Sequence, residues 1–463
     1  MSVHGPLGAT ETGAVDLRTR PLGARASWTH ARTGLVAIGG LLLLTLLLAI
    51  AAPGTDNLVP QSVRPIPTWL AGPFAGAGIG LGTAGLIVVL VIMFGCYVVA
   101  VYATERLSAR VVLMGIGAMH AIVLLAPPLL STDVFSYQFY GRMGSIYGVN
   151  AYLAGPHALA LDPLYPYIGA KWSYIPTVYG PLFTALSYVL APLSIAASAL
   201  TYKAIAACAS LGTVALVYNA ARLRGVDQVK AAALVGLNPL VVVYGVGGGH
   251  NDMLMLLLLV AGVYLVLAQR ERWGSAMLVL SAAIKFTGGL PLLFALAGGG
   301  ARRGRDRRAE VLIGAGVAAV LVCTLAFAWF GTGPLHLPAT VAKVQSLGDW
   351  QSIPGFIGTR LGLGSVGHVT GYVLDVAFAA AFLWLARRVW LGELDWIDAA
   401  AWAVVTLLVT TSSLLPWYVA WLMPLAALAT DRRLWRAGLI TTGVVQGIQL
   451  ISYLPHGGSF LGI

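Results

Sequence analysis

One carboxylate, Asp133, opens the segment Ser131 to Tyr152, STDVFSYQFYGRMGSIYGVNAY, directly after an apolar run that ends in Ala126-Pro127-Pro128. The only cation in that segment is Arg142. Two readings of the acid stand side by side. Ser131-Thr132-Asp133 is a capping composition, suited to accept backbone N–H bonds at the start of a helix. A carboxylate in a partly dehydrated pocket instead has its pKa raised and works as a general base near neutral pH. Tyr137, Tyr140, Tyr147, Tyr152 and Trp172 crowd the same stretch, and stacked aromatic rings are common supports for sugars. That company favours the base.

Further polar groups stand out because so little of the chain is polar. His250-Asn251-Asp252 follows Gly247-Gly248-Gly249 between apolar runs. Ionisable groups at such places are costly and functional by default, although Asn and Asp also cap helices. The triad lacks metal-ligand spacing, so no metal is expected. Lys285, in Ser-Ala-Ala-Ile-Lys-Phe-Thr-Gly, is an isolated cation that needs an anion; a lipid phosphate would serve, and snorkelling to headgroups is the alternative. Arg142, Lys171 and His250 are the other groups able to hold a phosphate. Trp417 and Tyr418, after Leu415-Pro416, read either as an interfacial belt or as sugar contacts.

The elements that must position these groups are membrane helices. Of 463 residues, 58% are apolar and 10% charged, against about 25% charged in soluble domains, and the mean hydropathy is +0.84. Apolar runs near the roughly 20 residues a bilayer requires recur almost to the end, which calls for helices and not a barrel. The net charge of +11 comes from Arg clusters between the runs. This is the positive-inside pattern and not a nucleic-acid footprint. Cys96, Cys208 and Cys323 lie inside apolar runs and form no framework.

The expected architecture is an all-α polytopic bundle of 12–14 membrane helices with interfacial helices in its external loops. Residues 1–33 read as a disordered cytoplasmic tail and 34–463 as one transmembrane catalytic domain. Two long loops, 131–180 and 331–367, fall outside, whereas the cytoplasmic loops are short and basic. The chain is therefore expected in the plasma membrane, multi-pass, with its N-terminus in the cytoplasm and its site on the extracytoplasmic face. Two segments leave the topology open. Of 181–197 and 201–221, one is expected to be re-entrant or interfacial, unless both cross. Residues 274–299 are expected to form a short hairpin with Lys285 near its tip, or else one long span with Lys285 buried.

The ordered set Asp133-Val-Phe-Ser-Tyr137, Gly141-Arg142, Asn150-Ala-Tyr152, Tyr179-Gly-Pro-Leu182, His250-Asn-Asp252, Lys285 and Pro416-Trp417-Tyr418 resembles the actinobacterial polyprenol-phosphomannose-dependent α-(1→6)-mannosyltransferases of the GT-C class. The resemblance covers about residues 111–430. It implies an inverting enzyme of cell-envelope biosynthesis that moves mannose from a polyprenyl-phosphate donor to a lipid-anchored glycan of the lipomannan type. Its partners would be that donor, that acceptor and membrane lipids, with no nucleic acid and no cofactor. Asp133 matches the family's acidic residue at the start of the first external loop. Lys285, Arg142, Lys171 and His250 then fall to the donor phosphate, and Tyr137, Tyr152, Trp172, Tyr179, Asn251, Asp252, Trp417 and Tyr418 to sugar or acceptor. Ala151 stands where the family commonly has Pro, which loosens the backbone there. Two rival readings are the same fold with another lipid-phosphate sugar, arabinose or glucose, and a transporter or flippase of a lipid-linked solute.

Overall fold

The computed structural model describes residues 22–298, 304–346, 351–364 and 366–454. Among them there are α-helices and short 3-10 and π turns, and no strand. The chain begins with α1 (Leu22–Ala51), α2 (Thr68–Ala71), α3 (Thr83–Ala103) and α4 (Ala109–Leu125). Of the tail expected over 1–33, residues 1–21 lie outside the described residues, while 22–33 form the first turns of α1. The Ala and Arg content there favours helix.

After α4 come α5 (Asp133–Ser145), α6 (Pro181–Leu190), α7 (Ile195–Arg224), α8 (Gln228–Gly236) and α9 (Asp252–Leu267). Then follow α10 (Glu271–Ile284), α11 (Leu290–Gly298), α12 (Gly304–Phe330), α13 (Leu337–Ser346) and α14 (Ile353–Arg360). The chain closes with α15 (His368–Trp390), α16 (Trp396–Thr410), α17 (Val419–Leu428) and α18 (Arg432–Ile451). Polar caps start many of them: Ser108, Ser194, Asp227, Asp395 and Asp431 each accept a backbone N–H of the helix that follows.

Among the described residues, five helices are long and apolar enough to cross a bilayer alone, or six if the bent pair α8 plus Leu240–Val246 counts as one span. Shorter apolar helices, among them α4, α6, α9, α16 and the Pro416–Leu428 segment, fill the bundle between them. The protein is an all-α polytopic membrane protein. Of the two apolar pieces after residue 180, α6 has 10 residues and α7 has 30. At 1.5 Å per residue α6 reaches about 15 Å, half a hydrocarbon core, so α7 alone is long enough to cross.

Residues 274–299 break at Lys285, which is extended with φ −151° and ψ 128°. α10 packs mainly on α9 and α12 and α11 mainly on α16 and α15, while α11 also touches α9, α12 and α10 itself. Gly288 and Gly289 fold against Ser281 and Ala282 at the break, so the chain turns sharply where the two arms meet.

Charged groups gather at one end of the bundle. Arg224 at the C-terminus of α7 pairs with Asp395 at the start of α16 (2.8 Å), Arg307 of α12 with Glu271 of α10 (3.2 Å), and Arg272 with Glu310. Asp133 and Asp252 occupy the opposite end. The 16 residues of α9, about 24 Å of helix, separate Asp252 from Arg270.

Candidate active site

The site is assembled where three turns meet at the end opposite the basic clusters. The first carries Asp133. Leu130 is in the left-handed region (φ 62°), a conformation rarely used by a residue with a side chain. Two backbone bonds over-determine it: Leu129 N–H donates to Gly247 O (3.0 Å) and Leu130 N–H to Leu58 O (2.8 Å). The second turn, Gly247–Gly249, delivers His250-Asn251-Asp252 to α9. Gly249 has φ 69°, and a Cβ there would stand 2.5 Å from Val134 Cγ1, so only glycine lets this turn pack on α5. The third is the break at Lys285. Gly180 N–H donates to Ile284 O (2.9 Å), and a Cβ on Gly180 would overlap Ala283 O at 2.2 Å. Tyr179 is thereby fixed beside Lys285.

Lys203 was not singled out in the sequence, yet it joins two of these turns. It is 2% exposed. Its ammonium donates to Ala126 O and to Pro127 O (3.2 Å for the latter), and its stem lies against Gly249. One buried side chain on α7 thus holds the peptide leading to Asp133 and underlies the one leading to His250.

The Asp133 carboxylate caps nothing. Its Oδ2 accepts from the hydroxyls of Tyr137 (3.2 Å) and Tyr179 (3.4 Å) and lies 3.1 Å from His250 Nδ1. Burial pushes its pKa up more than any other single influence, but His250, Lys285 and the Tyr137 hydroxyl together outweigh it and leave the pKa below the usual carboxylate value. The raised pKa expected from dehydration alone is therefore reversed by the groups packed around the carboxylate. The acid stays ionised at neutral pH.

His250 stands behind that acid and not toward open space. It is 1% exposed, its ring stacks on Trp417 at 3.6 Å between centroids, and its Nε2 is buried without a hydrogen bond. Tyr137 ties the acid to the triad: the hydroxyl that donates to Asp133 Oδ2 accepts from Asn251 N–H (3.2 Å) and lies 3.4 Å from Asn251 Oδ1. Asp252 Oδ1 accepts from Lys285 Nζ (2.8 Å) and from Trp421 Nε1 (2.6 Å). The ammonium lies over the rings of Tyr418 (4.6 Å) and Trp421 (5.2 Å). An acid and aromatic faces so arranged offset part of the cost of taking a cation out of water.

These groups open on a cavity of about 350 Å³. Asp133, Lys285, Lys171, Trp172, Tyr179, Trp417 and Tyr418 all line it. Tyr137, His250, Asn251 and Asp252 form its second layer, supporting Asp133 and Lys285 from behind. Two expected residues are elsewhere. Arg142 is closed into an ion pair with Asp162, its Nη2 2.7 Å from Oδ2, and Tyr147 donates to the same oxygen (2.6 Å). Burial raises the Asp162 pKa, and the Arg142 and Tyr147 bonds more than offset it, leaving it lowered. Tyr152 is buried against Phe330 and donates to Tyr179 O (3.1 Å), so it braces the loop from outside the cavity. Ser136, Tyr140, Tyr244, Ser413 and Gln449 also line the space. Tyr140 had a signal in the aromatic crowding; Tyr244 and Gln449 sit in apolar runs that carry none. Among the described residues no group of three His, Cys, Asp or Glu is placed to hold a metal ion.

Fold and site together define a multi-pass helical membrane protein whose cavity, at one end of its bundle, is lined by an ionised acid and a paired cation. The chain belongs to the α-(1→6)-mannopyranosyltransferase family: the model of that family's N-terminal domain matches residues 33–298. The model of glycosyltransferase family 87 matches residues 177–452. Among curated proteins, the chain is 28% identical over 348 residues to α-(1→6)-mannopyranosyltransferase A of Mycobacterium tuberculosis, covering 67% of this chain and 65% of that one. It is 28% identical over 382 residues to α-(1→6)-mannopyranosyltransferase B of Corynebacterium glutamicum, covering 73% and 62%. The chain thus spans somewhat less than two thirds of the length of these relatives. No solved structure matches it.

Proposed function

We propose that this chain is an inverting mannosyltransferase that moves mannose from a polyprenyl-phosphate donor to an α-1,6-linked, lipid-anchored glycan at the outer face of the plasma membrane. The observation that carries the reading is that Asp133 and Lys285 line one cavity, an ionised acid beside a cation held by an acid and two aromatic rings. Breaking the anomeric C–O bond releases a phosphate monoester, which needs positive charge rather than a proton. Lys285 and Lys171 are the cavity-lining cations for it. The acceptor hydroxyl attacks the anomeric carbon from the opposite face, its proton passes to the Asp133 carboxylate, and the bonding pair leaves with the phosphate. Tyr137 and Tyr179 orient that carboxylate through its Oδ2, and Trp172, Trp417 and Tyr418 offer faces to the sugar.

Family membership supports the mannosyl reading. The Arg clusters at the far end support the outer face, because basic ends are retained in the cytoplasm. A lipid-borne donor is supported by the position of the cavity at the end of a membrane bundle. The test is transfer by the purified chain from polyprenyl-phosphate mannose, glucose and arabinose to a lipid-linked mannan, with products identified by mass and linkage. Mannose in an α-1,6 bond is the expected product, and transfer from another sugar alone would overturn the donor assignment.

A further inference from the structure

A second polar cleft, of about 370 Å³, opens between α13, α15 and the end of α16. Its lining includes Gln345, Tyr372, Asp375, Thr410 and Ser412. Asp375 is its most telling member. It lies seven residues after His368, about 10 Å along the helix, on a span whose apolar window is only 6% buried. It is exposed, and no hydrogen bond or ion pair joins it to another described residue. An acid on an otherwise apolar, lipid-facing helix is costly unless it faces a polar space and has work there. Tyr372 and Asp375, three residues apart, share one face of α15. Gly367 and Gly371 add to the lining and have open space where a Cβ would stand, so the wall beside that face is bare backbone.

The cleft adjoins the catalytic cavity. Ser412 lines the cleft and Ser413 the cavity; Gln345 lines the cleft and Val344 the cavity. Gln345 binds the α16 end directly, its carbonyl accepting from Ser412 Oγ (2.9 Å), which also lies 3.0 Å from its Oε1, and that Oε1 accepting from Thr411 Oγ1 (3.3 Å). The chemistry of the cleft differs from that of the cavity. Among the described residues no Lys or Arg lines it, so it is unsuited to a phosphate. Its hydroxyls, amide, carboxylate and one aromatic ring are groups that bind neutral polyhydroxylated ligands.

We propose that this cleft binds the acceptor glycan, taking the hexose residues that lie beyond the one being extended in the catalytic cavity. Asp375 accepts sugar hydroxyls, the Gln345 amide N–H groups donate to them, and Tyr372 packs against a ring face. The inference deepens the mannosyltransferase reading and rests on it for the identity of the sugar. It makes the enzyme sensitive to acceptor length, with the charge-bearing donor confined to the first cavity.

The test pairs transfer with binding. The full chain in lipid nanodiscs, and its Asp375→Asn and Tyr372→Ala variants, would be supplied with octyl α-mannosides of one and three α-1,6-linked residues and polyprenyl-phosphate mannose. Each substitution is expected to raise KM for the trisaccharide about tenfold and for the monosaccharide no more than about twofold, with the donor KM held. Calorimetry of the trisaccharide without donor is expected to show the same tenfold loss. Equal changes for both acceptors, or unchanged trisaccharide binding, would overturn the proposal. If the wild-type chain binds the trisaccharide through these residues yet transfers no mannose, the cleft stands and the catalytic reading falls.

Discussion

At the scale of single residues, the chemistry rests on how one acid is kept ionised. Asp133 is depressed below the usual carboxylate value because His250, Lys285 and Tyr137 together outweigh its burial. A group with a lowered pKa is charged above that value and loses its charge only as pH falls through it, so the acid limb of activity should lie below the ordinary carboxylate range of about 4. His250→Gln removes one of those neighbours and should move the limb of a kcat/KM profile to higher pH; a limb that stays put would mean His250 has no electrostatic hold on Asp133. Lys285→Ala is expected to raise the donor KM at least tenfold, measured with polyprenyl-phosphate mannose at saturating acceptor. It also strands Asp252, whose Oδ2 is already unpaired, so a loss of thermal stability should accompany it. Asp133, His250 to Asp252, Lys285, Trp417 and Tyr418 could be found from sequence because polar groups are rare between apolar runs. Arg142 misled for a physical reason: its partner, Asp162, lies 20 residues away in a loop whose folding no local pattern encodes.

At the scale of elements, the site depends on turns more than on helices. Lys203 holds the Ala126-Pro127 peptide and underlies Gly249, so it is a positioning residue for both catalytic segments. Lys203→Met leaves two buried carbonyls without their donor, each costing about 1–3 kcal/mol, while it removes a buried charge. The fold is expected to survive and kcat to fall about tenfold with little change in either KM. A normal kcat would show that the Leu129–Gly247 and Leu130–Leu58 backbone bonds suffice alone. Hydrophobic runs located most of the helices, and Pro, Gly and Arg located their ends. The course of 274–299 was not readable in the same way, because a hairpin and one long span share one hydropathy profile; the break at Lys285 shows only in its extended backbone. Lys203 was passed over since a lysine amid Ala-rich helix looks like any snorkelling cation until its carbonyl partners are known.

At the scale of the molecule, the bundle divides its labour by end. Ion pairs such as Arg224–Asp395 and Arg307–Glu271 close one end, and the cavity and the acceptor cleft share the other. The sparsely buried α12 and α15, with 22% and 6% of their apolar windows buried, flank the 331–367 loop, so the cleft borders the bilayer from which a lipid-anchored acceptor would approach. The division was foreseeable from the alternation of basic and aromatic loops; the cleft was not, since Tyr372 and Asp375 meet Gln345 and Ser412 only after the two segments fold together. The central claim is that Asp133 takes the acceptor's proton, and its most direct test is the turnover of Asp133→Asn, an uncharged isostere that preserves the cavity's shape. General-base assistance is worth roughly 10²–10⁴ in rate. With polyprenyl-phosphate mannose and a mannan acceptor, kcat is predicted to fall by at least about a hundredfold while donor binding persists; a variant that turns over within a few-fold of wild type would contradict the account.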